Sequence, residues 1–454
     1  MAELLAADWA VWSVLAPLIG AMAAFALPRA APAIGVATLA LTAAATALLA
    51  RALLAAGPVT VALGGWGAPL GIELHADGLA VVMLAMTTGV GLFVSLSALG
   101  EADPRRRRHF WPLWLLLLTG LNGIYLSADL FNLYVMLEVV SLAAVGLTAL
   151  AGGLQALRAA LEYLFASLLG ALLFLLGVGL VYLAEGRLDL AGLAPLTEAG
   201  RVAPVAFALI LAGLALKTAL FPLHYWLPAA HANATAPASA LLSALVLKGA
   251  LYIVLRLWTG LFDPAPALGP MMGALGVTAM VWGGVQALRA ERLKLLVAWS
   301  TVAQIGLICV AFAMADTVGA TLAWQGAVLL MVAHGVAKAA MFLAAGRIAA
   351  EVGHDVIARL DRSAVRPTLA QFAFALAAVS LIGLPPSAGF AGKWLLMEGA
   401  LRAGGWIWVA AILGGTLLSV AYLTRVLGGF LRFDRVRAPL VAFLSIGAPF
   451  GGAP

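Results

Sequence analysis

Charge is what this sequence has least of. Only 10% of its 454 residues are Asp, Glu, Lys or Arg, whereas ordinary soluble domains carry about 25%. With 64% hydrophobic residues and a mean hydropathy of +1.07, a soluble globule is excluded. Cysteine is nearly absent. Cys309 stands alone, which rules out an internal disulfide and any cysteine-ligated cluster and leaves it the role of a small apolar residue. No GxGxxG, Walker motif, metal-ligand cluster or nucleophile–base constellation occurs, so neither a cofactor nor a metal is expected, and the chain alone has no means of redox chemistry. The net charge of +6 does not point to nucleic acid, because the basic residues fall between apolar runs.

The apolar runs are what is there. At about 20 residues per membrane span the length accommodates roughly 13 or 14 helices. Spans are expected near 9–28, 34–56, 78–99, 110–126, 129–151, 159–184, 203–221, 235–257, 268–288, 295–314, 320–346, 369–400, 405–428 and 438–450. The seventh and twelfth are interrupted, at Pro222 and at Pro385-Pro386, and the last is short and ends in GAPFGGAP. The first run follows Glu3 and Asp8 rather than a basic segment, as a retained span does and a cleaved signal does not. The longest hydrophilic connections are Glu185–Arg201 and Ile348–Pro367. Placing the N-terminus outside puts 17 of the 26 Lys and Arg in cytoplasmic loops, Arg105–Arg108 among them, against five outside. That excess sets the expected orientation, with the arginine run as a topology anchor that also meets lipid headgroups.

Lysine shows the sharpest partition. There are five, and four of them, Lys217, Lys248, Lys338 and Lys393, lie inside expected spans, while the loops use arginine. An ammonium in hydrocarbon is costly unless paired, hydrated or neutralised, so such residues mark ion or proton paths. A buried lysine can also give up its proton, which arginine does not do. The alternative is that Lys217 or Lys248 snorkels to the interface from a helix end. Glu138, in an otherwise apolar run, is the carboxylate expected to pair with a lysine; an isolated protonated glutamate is the other reading. His334 and Lys338, four residues apart, share a helix face and suit a relay. His224, beyond the Pro222 break, is a candidate link from Lys217 towards Lys248. His231 reads as a loop residue at the cytoplasmic mouth, and Lys294 as an interfacial anchor. Lys393 follows LIGLPPSAGFAG, so both broken spans carry a lysine, the arrangement that points to a transport site.

Two stretches, LKTALFPLHYWLPAAHANATAPASALLSALVLKGALY and GLPPSAGFAGKWLLMEGAL, resemble the proton-conducting antiporter-like membrane subunits. That family includes large subunits of complex I, membrane-bound hydrogenases and the A and D subunits of Mrp-type sodium/proton antiporters. The resemblance covers about 78–430 and implies an all-α polytopic membrane protein with about 14 transmembrane helices. It further implies two inverted five-helix repeats, with helices 7 and 12 broken. The chain then divides into 1–109, a three-helix segment; 110–257 and 268–430, the two repeats; and 431–454, a short helix and tail. The family's glutamate on helix 5 corresponds to Glu138, and its lysines on helices 7, 8 and 12 to Lys217, Lys248 and Lys393. His334 and Lys338 fall at its polar positions on helix 11. Lysine at 393 and the chain length look most like the D-type Mrp polypeptide. The implied function is a proton-translocating subunit of a multisubunit Na⁺/H⁺ antiporter in a bacterial-type cell membrane, with other membrane subunits as partners. A redox-driven pump of the complex I or hydrogenase type is the alternative, and a scaffold with a vestigial path a third. A lysine-rich axis repels Na⁺, so the metal cation is expected to cross elsewhere.

Overall fold

In hydrocarbon every backbone N–H and C=O must be satisfied within the protein, which leaves helices as the spanning elements for runs of this kind. The structure, a computed structural model, describes residues 2–430 apart from 70, 102, 194–201, 263 and 363–367. Each of the thirteen expected spans in that range is helical. The fourteenth, 438–450, lies outside the described residues.

The first three spans are α1 (Ala2–Ala26), α2 (Ala31–Ala56) and α3 (Gly78–Leu99). Between α2 and α3 lies a hairpin that sequence reading missed. Strands β1 (Val59–Ala62) and β2 (Glu73–Ala76) pair antiparallel, with Val59 opposite Ala76. Next come α4 (Pro104–Leu126), α5 (Leu130–Ala149) and α6 (Gly153–Glu185). The arginine run expected in a loop is instead helical: α4 starts at Pro104, and the Asp103 side chain caps it by accepting from Arg105 N at 2.8 Å. The seventh span is α7 (Val202–Lys217), a break, and α8 (Trp226–Asn233). The eighth is α9 (Ala236–Leu241), a π-helical turn (Leu242–Val246) and α10 (Leu247–Gly260). The second half holds α11 (Leu268–Arg289), α12 (Leu293–Cys309), α13 (Ala320–Val352), the broken pair α14 (Leu369–Ile382) and α15 (Ala388–Arg402), and α16 (Trp406–Phe430).

The halves α4–α10 and α11–α16 correspond span for span. In each the third span is a 33-residue helix. In each the residue before the second span bridges to the segment after the third, Asp129 to Asp189 and Arg292 to Val356. The bonds are alike: Leu130 N donates to Leu188 O at 3.0 Å, and Leu293 N to Asp355 O at 2.7 Å. Each half has five spans, an odd number, so the second half runs opposite to the first, and the two bridges lie on opposite faces of the bundle. Repetition and inversion can therefore be read from backbone pairing, although the two halves share too few letters to show it.

Glycines set how closely the broken spans approach their neighbours. A Cβ on Gly213 of α7 would come within 2.4 Å of Gly170 O on α6. The corresponding contact in the second half joins Gly326 of α13 to Gly392 O on α15, at 2.8 Å from such a Cβ. Small residues that admit a second backbone drive helix association where lipid removes the hydrophobic difference. Here they hold the lysine-bearing helices against α6 and α13.

Candidate functional site

A helix that stops at membrane depth leaves carbonyls without partners, and the two halves satisfy them differently. At the end of α7, Leu214 O accepts from Thr218 N and Ala215 O from Leu220 N. Leu216 O accepts the indole N–H of Trp226 at 3.0 Å. Lys217, the last residue of α7, is thereby left free to bond elsewhere. Its Nζ donates to Glu138 Oε1 at 3.0 Å, Ser141 Oγ at 2.8 Å and Ser167 Oγ at 3.0 Å. At the end of α14 the lysine does the capping: Lys393 Nζ donates to Leu381 O at 3.0 Å and Ile382 O at 2.8 Å, and to Thr416 Oγ1 at 3.3 Å. Gly383 turns the chain there at φ 85°, and a Cβ on it would meet Lys393 Cδ at 2.9 Å. Among the described residues Lys393 has no carboxylate partner.

Lys248 and Lys338 are fully buried between these ends. The π turn widens the eighth span and leaves Ser243 O to accept from Lys248 Nζ. Ser243 Oγ lies 2.9 Å from Thr301 Oγ1 on α12. Thr301 Oγ1 donates to Val297 O at 3.1 Å, and the same carbonyl accepts from Lys338 Nζ at 2.9 Å. Lys338 also donates to Ser300 Oγ. One turn further along α12, Gln304 Nε2 reaches Ser419 Oγ at 3.4 Å and, at 3.5 Å, Leu381 O, the carbonyl that Lys393 holds. Hydroxyls and carbonyls thus link Lys248 to Lys338, and a second set, Gln304 and Ser419, adjoins the carbonyl that Lys393 holds. Ser243, Ser300, Thr301 and Gln304 went unnoticed in the sequence, where each reads as ordinary helix-packing composition.

The histidines need one reassignment. His334 is 2% exposed and both its ring nitrogens lack hydrogen-bond partners within the protein. His231, expected in a loop, lies in α8 at 1% exposure, with its ring 5.9 Å from Phe342 and both nitrogens likewise unpaired. Buried polar atoms of this sort are where ordered water binds. His224 packs between Phe221 at 5.4 Å and Trp299 at 5.6 Å. Lys294 is also no surface anchor: it is 9% exposed and donates to Ala234 O beyond the end of α8. A polar cavity of about 420 Å³, lined by Asn233, Arg292, Lys294, His354 and Asp355 among others, opens beside it on the arginine-rich face.

Between Lys217 and Lys248 the bundle is tightly packed. Val246, Ala250 and Tyr163 border a void of about 10 Å³ next to Lys217, about the least that holds one water.

At the hairpin face α10 is tied to its neighbours. On α10, Lys248, Tyr252 and Arg256 follow at four-residue spacing along one side. Tyr252 Oη donates to Tyr125 O at 2.6 Å, and Arg256 grips Asp77 with both terminal nitrogens, at 2.6 and 2.5 Å. Burial by itself would raise the Asp77 carboxyl. The hydrogen bond and charge of Arg256 and the Ala80 N–H outweigh it and hold the group below its ordinary 3.8. A carboxyl held low in the folded state contributes stability at pH values above its unfolded pKa, and that stability is lost as pH falls through the folded value. Melting curves should therefore show no loss of the tie between pH 5 and 8. Asp77→Asn should lower stability by about 3 kcal/mol at neutral pH, and flatten the acid limb of the melting profile. A wild-type melting temperature in Asp77→Asn would contradict this tie.

Against this geometry, residues 127–419 match the family model described as NADH:quinone oxidoreductase/Mrp antiporter, transmembrane. The chain belongs to that family. It is 36% identical over 428 residues to the N-type subunit of the NADH-quinone oxidoreductase of Desulforudis audaxviator, covering 91% of this chain and 84% of that one. It is 29% identical over 384 residues to the D-type subunit of the Na⁺/H⁺ antiporter of Bacillus subtilis, covering 84% and 77%. Among solved structures it superposes with TM-score 0.88 and 26% identity on a chain of an archaeal membrane-bound sulfane sulfur reductase, covering 96% and 91%. With a chain of the Mrp complex of Dietzia sp. the TM-score is 0.87 at 27% identity, covering 94% and 80%. Both structures are of multisubunit membrane complexes.

Proposed function

We propose that this chain is the proton-translocating subunit of a multisubunit Na⁺/H⁺ antiporter. The carrying observation is the pairing of one carboxylate, Glu138, with the first of four buried lysines. Two of the others, Lys248 and Lys338, share a hydrogen-bonded set of hydroxyls and carbonyls, and Lys393 caps the break in α14 beside Gln304 and Ser419. Opening the Glu138–Lys217 contact removes the counter-charge that favours the ammonium, so the proton is released inward; closing it favours recapture. His231 and His334 carry it between Lys248 and Lys338, and Lys393 passes it on where α14 breaks. The lane is positively charged and excludes Na⁺, which crosses in a partner subunit. We assign 110–257 and 268–430 as the two proton-channel halves and 1–109 as the flanking segment. The N-terminus is taken to lie outside the cell membrane, with the arginine-rich face cytoplasmic.

A redox-driven pump is the second reading, favoured by the 36% identity to a quinone oxidoreductase subunit. Co-purification in gentle detergent with mass spectrometry of the partners tests both. Several small hydrophobic subunits without iron–sulfur proteins are the expected result. Iron–sulfur or flavin subunits would move the chain to the second reading, and a chain that isolates with no membrane partner would sink both.

A further inference from the structure

A second basic feature lies away from the lane. Where the α1–α2 turn meets the start of α4, a recess of about 270 Å³ is lined by Pro28, Arg29, Pro32, Pro104, Arg107 and Arg108. No carboxylate lines it. Within the four-arginine run the neighbouring Arg106 is already engaged, with Asp103 at 3.5 Å and with Ala151 O at 3.0 Å. Arg29, Arg107 and Arg108 have no acidic partner among the described residues. Three prolines stiffen the rim, so the three guanidinium forks converge on one concave site rather than spreading over a face. Just before it in the chain, Met22 and Phe25 at the end of α1 and Leu27 beyond it are exposed, at 66%, 73% and 58%. Exposed apolar residues leading into a basic cup at the end of a span match a molecule with an anionic head and a hydrocarbon tail.

We propose that this recess binds the phosphodiester headgroup of an anionic phospholipid, with an acyl chain lying along the end of α1. Guanidinium forks suit phosphate oxygens bidentately, which ammoniums do not, and this run contains only arginine. The occupant fixes the first three spans against the lipid leaflet on the arginine-rich face, and this is independent of the proton chemistry.

Native mass spectrometry of the purified full chain, titrated with phosphatidylglycerol and separately with phosphatidylcholine, tests it. Wild type is expected to retain phosphatidylglycerol at collision energies that strip phosphatidylcholine. Replacing Arg29, Arg107 and Arg108 together by glutamine should weaken that retention about tenfold, while Arg105→Gln leaves it unchanged. A folded triple variant that holds phosphatidylglycerol like wild type would overturn the site. A second measurement needs no variant: inorganic phosphate or glycerophosphoglycerol displacing the bound lipid at equal concentration would show a free-anion site, whereas failure to displace it supports the lipid.

Discussion

Replacing Lys217 by methionine is expected to stop proton transfer in the assembled complex, and Glu138→Gln to slow it about a hundredfold. The two groups touch at 3.0 Å, with the lysine side chain 5% and the glutamate side chain 21% exposed. Removing one member of such a pair leaves the other uncompensated, at a cost of about 3–5 kcal/mol. If that cost falls on the step in which the lysine exchanges its proton, each 1.36 kcal/mol is about a tenfold change in rate. Ser141 and Ser167 also accept from Lys217, so the variant loses three bonds at once. Proton flux in vesicles bearing the complex is the readout. Near-normal flux in Lys217→Met would show that the pair is structural.

The second large effect couples stability to function in opposite directions. Lys338 has no exposed surface and is held by Val297 O and Ser300 Oγ, with no carboxylate partner among the described residues. A buried charge of this kind is a liability for folding. Exchanging buried charged groups for apolar residues of similar volume is often neutral or stabilising, by about 1–4 kcal/mol. Lys338→Met is therefore expected to leave the melting temperature unchanged or raise it while abolishing flux. A purely structural lysine would give the reverse, with lower melting temperature and intact flux. The same substitution at Lys248, whose one side-chain hydrogen bond among the described residues is to Ser243 O in the preceding π turn, should behave alike.

What could be read from the letters follows from what lipid forbids. Lys217, Lys248, Lys338, Lys393 and Glu138 stood out because a charge within an apolar run has few explanations. Pro222 and Pro385-Pro386 likewise announced the two breaks, since proline cannot continue a helix. The structure moves the first of them back to Lys217, because the chain unwinds before the proline does its work. Ser243, Ser300 and Thr301 were invisible for the opposite reason: serine and threonine in such helices mostly bond their own backbone, as Ser300 and Thr301 also do here. Their use as a link depends on three spans meeting, which no local pattern encodes. His231 was misread because its Ala, Asn and Pro neighbours suggest a loop; tertiary packing against Phe342 makes that stretch a buried helix. The β1–β2 hairpin consists of four-residue strands, too short for alternation to register. The different capping of the two breaks, by Trp226 in one half and by Lys393 itself in the other, could be seen only in three dimensions.

In the proposed function the lysines act by releasing protons and not merely by being positive. Lys217→Arg separates these two roles, because arginine keeps the charge and the partner Glu138 but does not deprotonate in the working range. The measurement is decay of an imposed pH gradient in liposomes containing the assembled complex, followed with an internal pH dye. The expected result is an intact complex whose gradient decays no faster than in protein-free liposomes. Decay at the wild-type rate in Lys217→Arg would contradict proton release by the lysine.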